Sequence, residues 1–325
     1  MRAAFPAAEE RVAQFYAMQE YQLGWRDEQL APASVDPGKL LRPYLTLLAC
    51  RVAGGDPEQA MPLAAAIQLI HNFSLIHDDI EDNSHTRRGR PTVWKLWGLA
   101  QGINTGDSMF VVAHLAIQQL ADAGTQPAVV LDVLRRFDQT ILTICEGQYL
   151  DLSFEGDLRI TADDYLAMIG RKTAALIAAA AGLGAIVGGA DAPTTQAMFD
   201  FGRSLGLAFQ IQDDVLGVWG DPAVTGKPAA ADLYRRKLSL PVIHALHAAE
   251  QRAALARLYG QPELGEGDVR QILGILEQAR ARDYTERVAA TYHRQALDAL
   301  EAAQGDAAAL SELRTITERL LNRKF

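Results

Sequence analysis

The sequence is poor in cysteine and lacks an excess of positive charge. Cys50 and Cys145 are the two cysteines among 325 residues, which excludes a disulfide framework. We therefore predict a protein of a reducing compartment, with both cysteines as small core residues. A formal net charge of −9 argues against nucleic acid as a partner. The residues that follow Met1 contain no apolar signal-peptide core, so a cytoplasmic protein is expected.

Strand signals are also scarce. Apolar–polar alternation is hard to find, and no Asn-Gly hairpin turn occurs. Apolar residues instead recur with the helical period, and Pro62 is predicted to be the first residue of the helix that leads to Asp78. No linker or internal repeat divides the chain, so we predict a single-domain, all-α helical bundle over residues 1–325. The predicted helices are 8–30, 40–53, 62–82, 92–99, 104–122, 127–150, 162–169, 172–188, 194–217, 230–250, 252–259, 267–281 and 283–322, the last with a break near Gln304-Gly305-Asp306.

One long segment carries no charged residue, from Thr173 to Ala190. Its length approaches that of a membrane span. It consists mostly of alanine and glycine, however, and small residues let helices pack closely inside a bundle. The composition therefore favours a buried central helix over a transmembrane span.

Several catalytic motifs are missing from the sequence. It contains no Gly-x-Ser-x-Gly elbow, no Gly-x-Gly-x-x-Gly, no Walker loop, no Cys-x-x-Cys and no His-Glu-x-x-His.

The sequence has instead two aspartate clusters, each at the end of an apolar helical segment. Such carboxylates are costly to bury without a partner, and two facing clusters would repel each other. Hard oxygen ligands of this kind suit Mg²⁺ held between them.

The first cluster is Asp78-Asp79-Ile80-Glu81-Asp82. Spacings of seven and four place His71, Asp78 and Asp82 on one helix face, with Asp79 one step round. Aspartate at a helix C-terminus opposes the helix dipole, which favours a metal-binding role over a merely solvated helix end.

The second cluster, Asp213-Asp214, carries less information. The position four residues after Asp213 is Gly217 rather than an acid. Asp221 lies eight residues after Asp213, beyond the expected helix end.

Basic residues flank both clusters although the chain is acidic. Arginine matches phosphate oxygens with two parallel hydrogen bonds, and lysine supplies a point charge. The pattern therefore predicts a polyanionic, phosphate-bearing ligand. The segment from Gly220 to Pro228 is a candidate lid over it. The basic residues in question are Lys39, Arg42, Arg87, Arg88, Arg90, Arg171, Lys172, Lys227, Arg235, Arg236 and Lys237.

These motifs resemble those of the trans-isoprenyl diphosphate synthases, or polyprenyl synthetases. The likeness covers roughly residues 35–245. The first aspartate cluster with its trailing Arg-Arg-Gly-Arg-Pro-Thr, and the segment Phe209-Gln210-Ile211-Gln212-Asp213-Asp214, look like the two aspartate-rich motifs of that family. Further matches, in order, are Gly38-Lys39-x-x-Arg42-Pro43, His71, Gly106-Asp107, Gly147-Gln148, Lys172-Thr173, Gly226-Lys227-Pro228 and Lys237-x-x-x-Pro241.

The resemblance implies an isoprenoid-synthase-type bundle around a deep central cavity, usually as a homodimer. It also implies a prenyltransferase that joins isopentenyl diphosphate to an allylic diphosphate by Mg²⁺-assisted ionisation, condensation and deprotonation. By the same resemblance, the metal ligands are Asp78, Asp79, Asp82, Asp213 and Asp214. The residues that hold the allylic diphosphate are Arg87, Lys172, Gln210, Lys227 and Lys237. Those that hold isopentenyl diphosphate are Lys39, Arg42, His71 and Arg88.

Product length is expected to depend on side chains about one turn before Asp78. Helical angle alone nominates Ser74, and the resemblance nominates both Phe73 and Ser74. A large residue at the position of Phe73 is typical of short-to-medium products in the family. Geranylgeranyl diphosphate (C20) is therefore the predicted product, with farnesyl diphosphate (C15) next.

Three alternatives remain open at this level. A class I terpene cyclase would use the metal site without a second diphosphate pocket. The absence of an acid at Gly217 leaves this alternative open. A non-catalytic subunit of a heteromeric synthase should have lost its carboxylates, whereas the first cluster is intact. A purely structural helical protein is not supported, because the sequence has no internal repeat period of the kind that such proteins show.

Overall fold

The structure is a computed structural model, and it describes residues 1–35, 38, 40–222, 229–248, 250 and 252–321. Its regular structure is almost entirely helical, which confirms the predicted all-α class. The α-helices are α1 Ala13–Gln22, α2 Leu41–Val52, α3 Pro57–Glu81, α4 Val93–Trp97, α5 Leu99–Asp122, α6 Pro127–Phe154, α7 Ala162–Ile169, α8 Ala175–Val187, α9 Ala192–Trp219, α10 Ala231–Tyr234, α11 Leu240–Ala248, α12 Arg252–Tyr259, α13 Glu266–Gln278, α14 Ala281–Ala302 and α15 Ala307–Leu321.

Short elements complete the described chain. Two 3₁₀ turns, Arg2–Ala4 and Glu10–Val12, precede α1, and a π-helical turn, Gly170–Ala174, joins α7 to α8. Strands β1 (Thr86–Arg87) and β2 (Arg90–Pro91) form an antiparallel hairpin that sequence patterning did not predict.

The chain folds into two compact units. Unit 1 comprises Met1–Asp138 with Ala180–Asp191, and unit 2 comprises Gln139–Ala179 with Ala192–Phe325. The expectation of one domain over the whole chain stays a prediction.

In unit 1, helix α3 packs against α2 and α5. Its interior face is aliphatic, and Leu63, Ile67 and Ile70 are fully buried. The prediction that Pro62 starts this helix was wrong, because α3 begins at Pro57 and Pro62 lies inside it. The side chain of Asp56 accepts a hydrogen bond from the amide of Glu58 at 3.0 Å, and this N-cap fixes the earlier start.

In unit 2, helix α9 packs along α14 and against the π-helical turn. Helix α7 begins with an acidic first turn, Asp163 and Asp164. Thr161 and Asp164 form a capping box there, each side chain bonded to the backbone amide of the other residue. This cap sets the start of the helical segment that carries Lys172.

The uncharged segment is helical and largely packed against other residues. The helix from Ala162 to Val187 is long and apolar enough to cross a membrane, and 56% of its apolar window is buried inside the protein. Most side chains of α8, including Leu176, Ile177 and Leu183, are buried, as expected of a core helix. The cysteine prediction holds only in part, since Cys50 is buried whereas Cys145 is exposed on α6.

Candidate active site

The first aspartate cluster occupies the end of α3, and its three aspartates have different surroundings. Asp78 is half-buried and Asp82 is exposed, one turn apart on the helix. Asp79 is only 1% exposed and accepts a hydrogen bond from Arg87 Nε at 2.8 Å. Burial raises the pKa of Asp79 to about 6, although the guanidinium of Arg87 opposes the shift. Asp78 and Asp82 are therefore the solvent-facing pair of the cluster.

A group of basic side chains lies close to this helix within unit 1. Nη1 of Arg42 lies 3.4 Å from Nε2 of His71. Burial, together with the charges of Arg42, Arg88 and Arg87, holds the pKa of His71 well below its usual value. His71 is thus neutral at pH 7 and can act as a hydrogen-bonding group among three cations.

Gly38 is adjacent to this group, because a Cβ at its position would lie 2.9 Å from Nη1 of Arg88. The structure therefore brings Arg42, His71, Arg87 and Arg88 together as predicted partners of an anion. Lys39 lies outside the described residues.

Aromatic rings lie one turn before the first cluster. The ring of Phe73 contacts those of His77 and Phe110, with centroids 4.8 and 5.5 Å away. Ser74 is half-buried, and its hydroxyl donates to the carbonyl oxygen of His71 at 2.9 Å. Of the two positions nominated for product length, Phe73 is the one that forms part of an aromatic cluster.

In unit 2, Asp214 is fully buried and surrounded by donors. Its carboxylate accepts a short hydrogen bond from the hydroxyl of Tyr165, another from Nε2 of Gln210 at 3.3 Å and a third from the amide of Leu240 at 3.4 Å. It also forms an ion pair with Nζ of Lys237 at 3.5 Å. Burial raises the pKa of Asp214, and these partners counteract it. Asp213, its neighbour, is half-buried.

Two of the lysines predicted to hold diphosphate, Lys172 and Lys237, are paired with carboxylates. Lys172 lies in the π-helical turn, and its Nζ is 2.5 Å from Oδ2 of Asp151. Desolvation lowers the pKa of Lys237, but the surrounding carboxylates, Asp214 first, outweigh it and raise that pKa to about 12. Lys237 is therefore cationic at pH 7. Lys227 lies outside the described residues.

A close helix contact positions Lys172. Gly147 on α6 lies directly against the π-helical turn, where a Cβ would be 2.2 Å from the amide nitrogen of Lys172 and 2.6 Å from its Cα. Only glycine fits at this approach. Gln210 is held by the same turn, because the hydroxyl of Thr173 donates to its Oε1 at 3.2 Å.

The donor set fits Mg²⁺ with a phosphate ligand better than a metal held by protein alone. Among the described residues, no group of three or more His, Cys, Asp or Glu side chains could hold a metal ion. Mg²⁺ is commonly bound by one or two carboxylates, with water and substrate phosphates completing the octahedron. Asp78 and Asp82, one turn apart, match that requirement.

Sequence reasoning missed two residues of this arrangement. Asp151 holds Lys172, and Tyr165 binds the buried Asp214. Asp151 lies four residues after Gly147, which places both on the same face of α6. That spacing was a usable signal, whereas nothing in the sequence links Tyr165 to Asp214.

Comparison with known proteins identifies the class of this chain. The sequence profile named polyprenyl synthetase matches residues 27–276. A geranylgeranyl diphosphate synthase of Mycobacterium tuberculosis is 41% identical over 300 residues, covering 91% of this chain and 85% of the relative. A crystal structure of polyprenyl synthetase from Streptomyces coelicolor superposes with a TM-score of 0.90 at 35% identity, covering 98% of this chain and 94% of that one.

A further structural relative was solved with ligands. It is a geranylgeranyl pyrophosphate synthase from Corynebacterium glutamicum complexed with isoprenyl diphosphate and magnesium. It superposes with a TM-score of 0.82 at 26% identity, over 97% of this chain and 92% of that one. Together these matches show that the chain belongs to the polyprenyl synthetase family, so it is an all-α trans-prenyltransferase of the isoprenyl diphosphate synthase class. The family and the enzyme class predicted from the motifs are thereby confirmed.

Proposed function

We propose that this enzyme condenses isopentenyl diphosphate with an allylic diphosphate and makes geranylgeranyl diphosphate (C20) as its main product, with farnesyl diphosphate (C15) next. The observation that carries the product assignment is Phe73, whose ring contacts Phe110 and His77 one turn before the first aspartate cluster. A ring at this position would limit the length of the growing chain. The name of the mycobacterial relative agrees with that product.

The two substrates would be held by different groups. Arg42, His71 and Arg88, with Lys39, would bind isopentenyl diphosphate, which agrees with the cationic group around the neutral His71. The allylic diphosphate would be bound by Arg87, Lys172, Gln210, Lys227 and Lys237. The lysines of this set that the structure describes, Lys172 and Lys237, lie within ion-pair distance of Asp151 and Asp214.

We assign the metal ligands as Asp78, Asp79, Asp82, Asp213 and Asp214, with Mg²⁺ as the cofactor. When bound, Mg²⁺ would withdraw charge from the diphosphate and make it a better leaving group. Asp78 and Asp82 face solvent, so their carboxylates are the most accessible to a metal ion. Asp79 and Asp214 are bound to Arg87 and Tyr165, so their second role would be to orient those side chains.

The reaction would proceed in three steps. The C–O bond of the allylic diphosphate breaks, and its electron pair leaves with the diphosphate, where the arginines and lysines stabilise the added charge. The π-electrons of isopentenyl diphosphate then attack the allylic cation and form a C–C bond. A proton is finally lost from the adjacent carbon to the released diphosphate, which restores a double bond. The apolar helix faces would keep water from the cation.

We further propose that the enzyme is a cytoplasmic homodimer. Exposed aliphatic side chains recur every four residues or multiples of four along α5, and a second exposed apolar face runs along α6. Exposed apolar side chains grouped along a helix are typical of protein interfaces. The exposed residues are Leu99, Ile103, Val111 and Leu115 on α5, and Leu131, Leu142, Tyr149 and Leu152 on α6.

A product assay tests the proposed function. Purified protein with Mg²⁺ would receive labelled isopentenyl diphosphate and, separately, C5, C10 and C15 allylic primers, and the products would be separated by chain length. We expect elongation that stops at C20. Hydrocarbon or alcohol formed from an allylic diphosphate alone, with no isopentenyl incorporation, would instead identify a terpene cyclase. No turnover unless a second protein is added would identify a subunit of a heteromeric synthase.

A further inference from the structure

Arg90 lies two residues after Arg88 in the basic segment that follows the first aspartate cluster, but its guanidinium contacts the backbone of the protein itself. Nη1 donates to the carbonyl oxygen of Tyr21 at 3.2 Å, and Nη2 donates to that of Arg26 at 2.8 Å. The guanidinium also lies over the ring of Tyr21, with Cζ 3.9 Å from the ring centroid. Both terminal nitrogens of Arg90 are therefore engaged by the N-terminal part of unit 1.

The end of helix α1 explains why a guanidinium binds there. Tyr21 lies in the last turn of α1, where carbonyl oxygens lack a helical partner and the helix dipole favours a cation. Arg90 supplies both the donor and the charge. In return, the hydroxyl of the buried Tyr21 donates to the carbonyl oxygen of Pro91 at 2.7 Å. Strand β2, which consists of Arg90 and Pro91, is thus bonded to α1 in both directions.

Strand β2 is half of the hairpin that carries two of the predicted diphosphate ligands. Arg87 on β1 is paired in register with Arg90 on β2, and Arg88 lies in the turn between them. Two strands of two residues each form a hairpin that is too short to be stable by itself. Arg88 also has a φ of +52°, in the left-handed region that a residue other than glycine adopts only at a cost. The hairpin therefore needs support from outside, and the contacts with α1 provide it on the β2 side.

The two arginines on this hairpin depend on that support to different degrees. Arg87 has an anchor of its own, since its Nε donates to the buried carboxylate of Asp79 at 2.8 Å. The backbone of Arg88, by contrast, takes its place from the turn. Loss of the support should therefore affect the group around Arg88 and His71, the proposed site of isopentenyl diphosphate, more than the site of the allylic diphosphate.

We infer that Arg90 is a positioning residue, which holds the hairpin against α1 so that Arg88 can bind isopentenyl diphosphate. This inference rests on the proposed function, because it takes isopentenyl diphosphate as the ligand of Arg88. It makes Tyr21, on a helix that carries no predicted site residue, part of the same support. Arg90 lines a small cavity together with Arg87 and Arg88, so direct binding of diphosphate by Arg90 is the competing explanation.

Substitutions at Arg90 and Tyr21 separate the two explanations. The readout is isothermal titration calorimetry of the intact chain with isopentenyl diphosphate and, separately, with a C10 allylic diphosphate and Mg²⁺. We expect Arg90→Gln to weaken isopentenyl diphosphate binding about tenfold and allylic diphosphate binding by less than about threefold. Arg90→Lys should bind as weakly as Arg90→Gln, because an ammonium group cannot span two carbonyl oxygens as the guanidinium does. Tyr21→Phe, which removes only the hydroxyl, should weaken isopentenyl diphosphate binding about threefold.

Matched controls account for the loss of an arginine or of a hydroxyl as such. Arg159→Gln removes an exposed, ion-paired arginine of unit 2, and Tyr16→Phe removes a hydroxyl from the same helix α1, so both should bind as the wild type does. The double variant Arg90→Gln/Tyr21→Phe should bind within about twofold of Arg90→Gln, because both substitutions break one support. Circular dichroism melting shows which variants are folded, and Tyr21→Phe carries the test if the Arg90 variants do not fold.

The outcomes distinguish this inference from the proposed function. Near wild-type binding in Arg90→Lys, with a loss in Arg90→Gln, would show that the charge itself matters and would overturn the inference. Wild-type affinity in Arg90→Gln or in Tyr21→Phe would also overturn it, as would an equal loss for both diphosphates. A wild type that binds isopentenyl diphosphate yet elongates no allylic primer would refute the proposed function, and it would leave the inference standing if the variants bind as expected.

Discussion

At the scale of single residues, the burial of Asp79 makes the stability of the metal-free protein depend on pH. The pKa of this carboxyl is raised from 3.8 to about 6 in the folded state, so the folded protein holds the proton more tightly than the unfolded chain does. The resulting stabilisation is fully present below about pH 4 and is lost as the pH rises through about 6. Asp79→Asn removes the titration.

We therefore expect the free energy of unfolding of the wild type, relative to Asp79→Asn, to fall by about 2 kcal/mol between about pH 4.5 and about pH 7.5. Urea unfolding in the presence of a metal chelator measures this difference, and Asp200→Asn provides a control without it. A constant difference between wild type and Asp79→Asn over this range would contradict the raised pKa.

Phe73 leads to a second residue-scale prediction. Replacing its ring with the methyl group of alanine removes the contacts with Phe110 and His77 and opens space one turn before Asp78. We expect Phe73→Ala to shift the products from C20 to longer chains, as measured by chromatography of the elongation products. Met61→Ala, an exposed position near the start of the same helix, is the control. An unchanged product distribution in Phe73→Ala would show that Phe73 does not limit the length of the product.

At the scale of elements, the contact between α6 and the π-helical turn is the tightest constraint on the position of Lys172. A Cβ at Gly147 would meet the backbone of Lys172, which cannot move aside as a side chain can. We expect Gly147→Ala to lower the free energy of unfolding by about 1–3 kcal/mol and to weaken diphosphate binding.

Gly274 on α13 is the matched control, since a Cβ there would meet nothing within 4 Å. Gly274→Ala should raise the free energy of unfolding by up to about 1 kcal/mol, because alanine favours a helix interior over glycine. Urea unfolding of both variants gives the comparison. If both substitutions changed the free energy of unfolding equally, the π-helical turn would be able to move aside for a Cβ at position 147.

The elements also show where sequence reasoning succeeds and where it stops. Helical periodicity and breakers predicted most helices and the break before α15, because those signals are local. The start of α3 was misplaced because proline is favoured at the first helical position, whereas Pro62 lies inside this helix and leaves one helical hydrogen bond unmade. The capping aspartate at position 56 was the stronger signal.

The site shows the same division between local and distant signals. The family resemblance predicted that Arg42 and Arg88 serve the same ligand as His71, and the structure places both arginines near it. The close approach of Asp232 to Gly217 was beyond reach, because the two residues lie on different helices, α9 and α10. Pairing of that kind depends on tertiary structure and leaves no periodic trace in the sequence.

At the scale of the whole molecule, the apolar faces of α5 and α6 predict self-association. Val111 is 53% exposed in the middle of the α5 face. Placing a charge there should prevent burial of that face against a second copy. We expect Val111→Asp to shift the protein from dimer to monomer in sedimentation velocity, while Gln101→Glu, exposed but off that face, remains dimeric. A wild type that sediments as a monomer at micromolar concentration would contradict the proposed homodimer.

The two cysteines differ in exposure, so they are expected to differ in reactivity towards thiol reagents. Burial, with the nearby Asp56, raises the pKa of Cys50 to about 11, so its thiol stays protonated and unreactive at neutral pH. Cys145 is exposed on α6, three residues after Leu142 and four before Tyr149. A maleimide should therefore react with Cys145 and not with Cys50 in a dissociated subunit, without any mutagenesis. Because Cys145 lies within the face proposed to join two subunits, assembly should slow that reaction, and the labelling rate would report the monomer–dimer equilibrium.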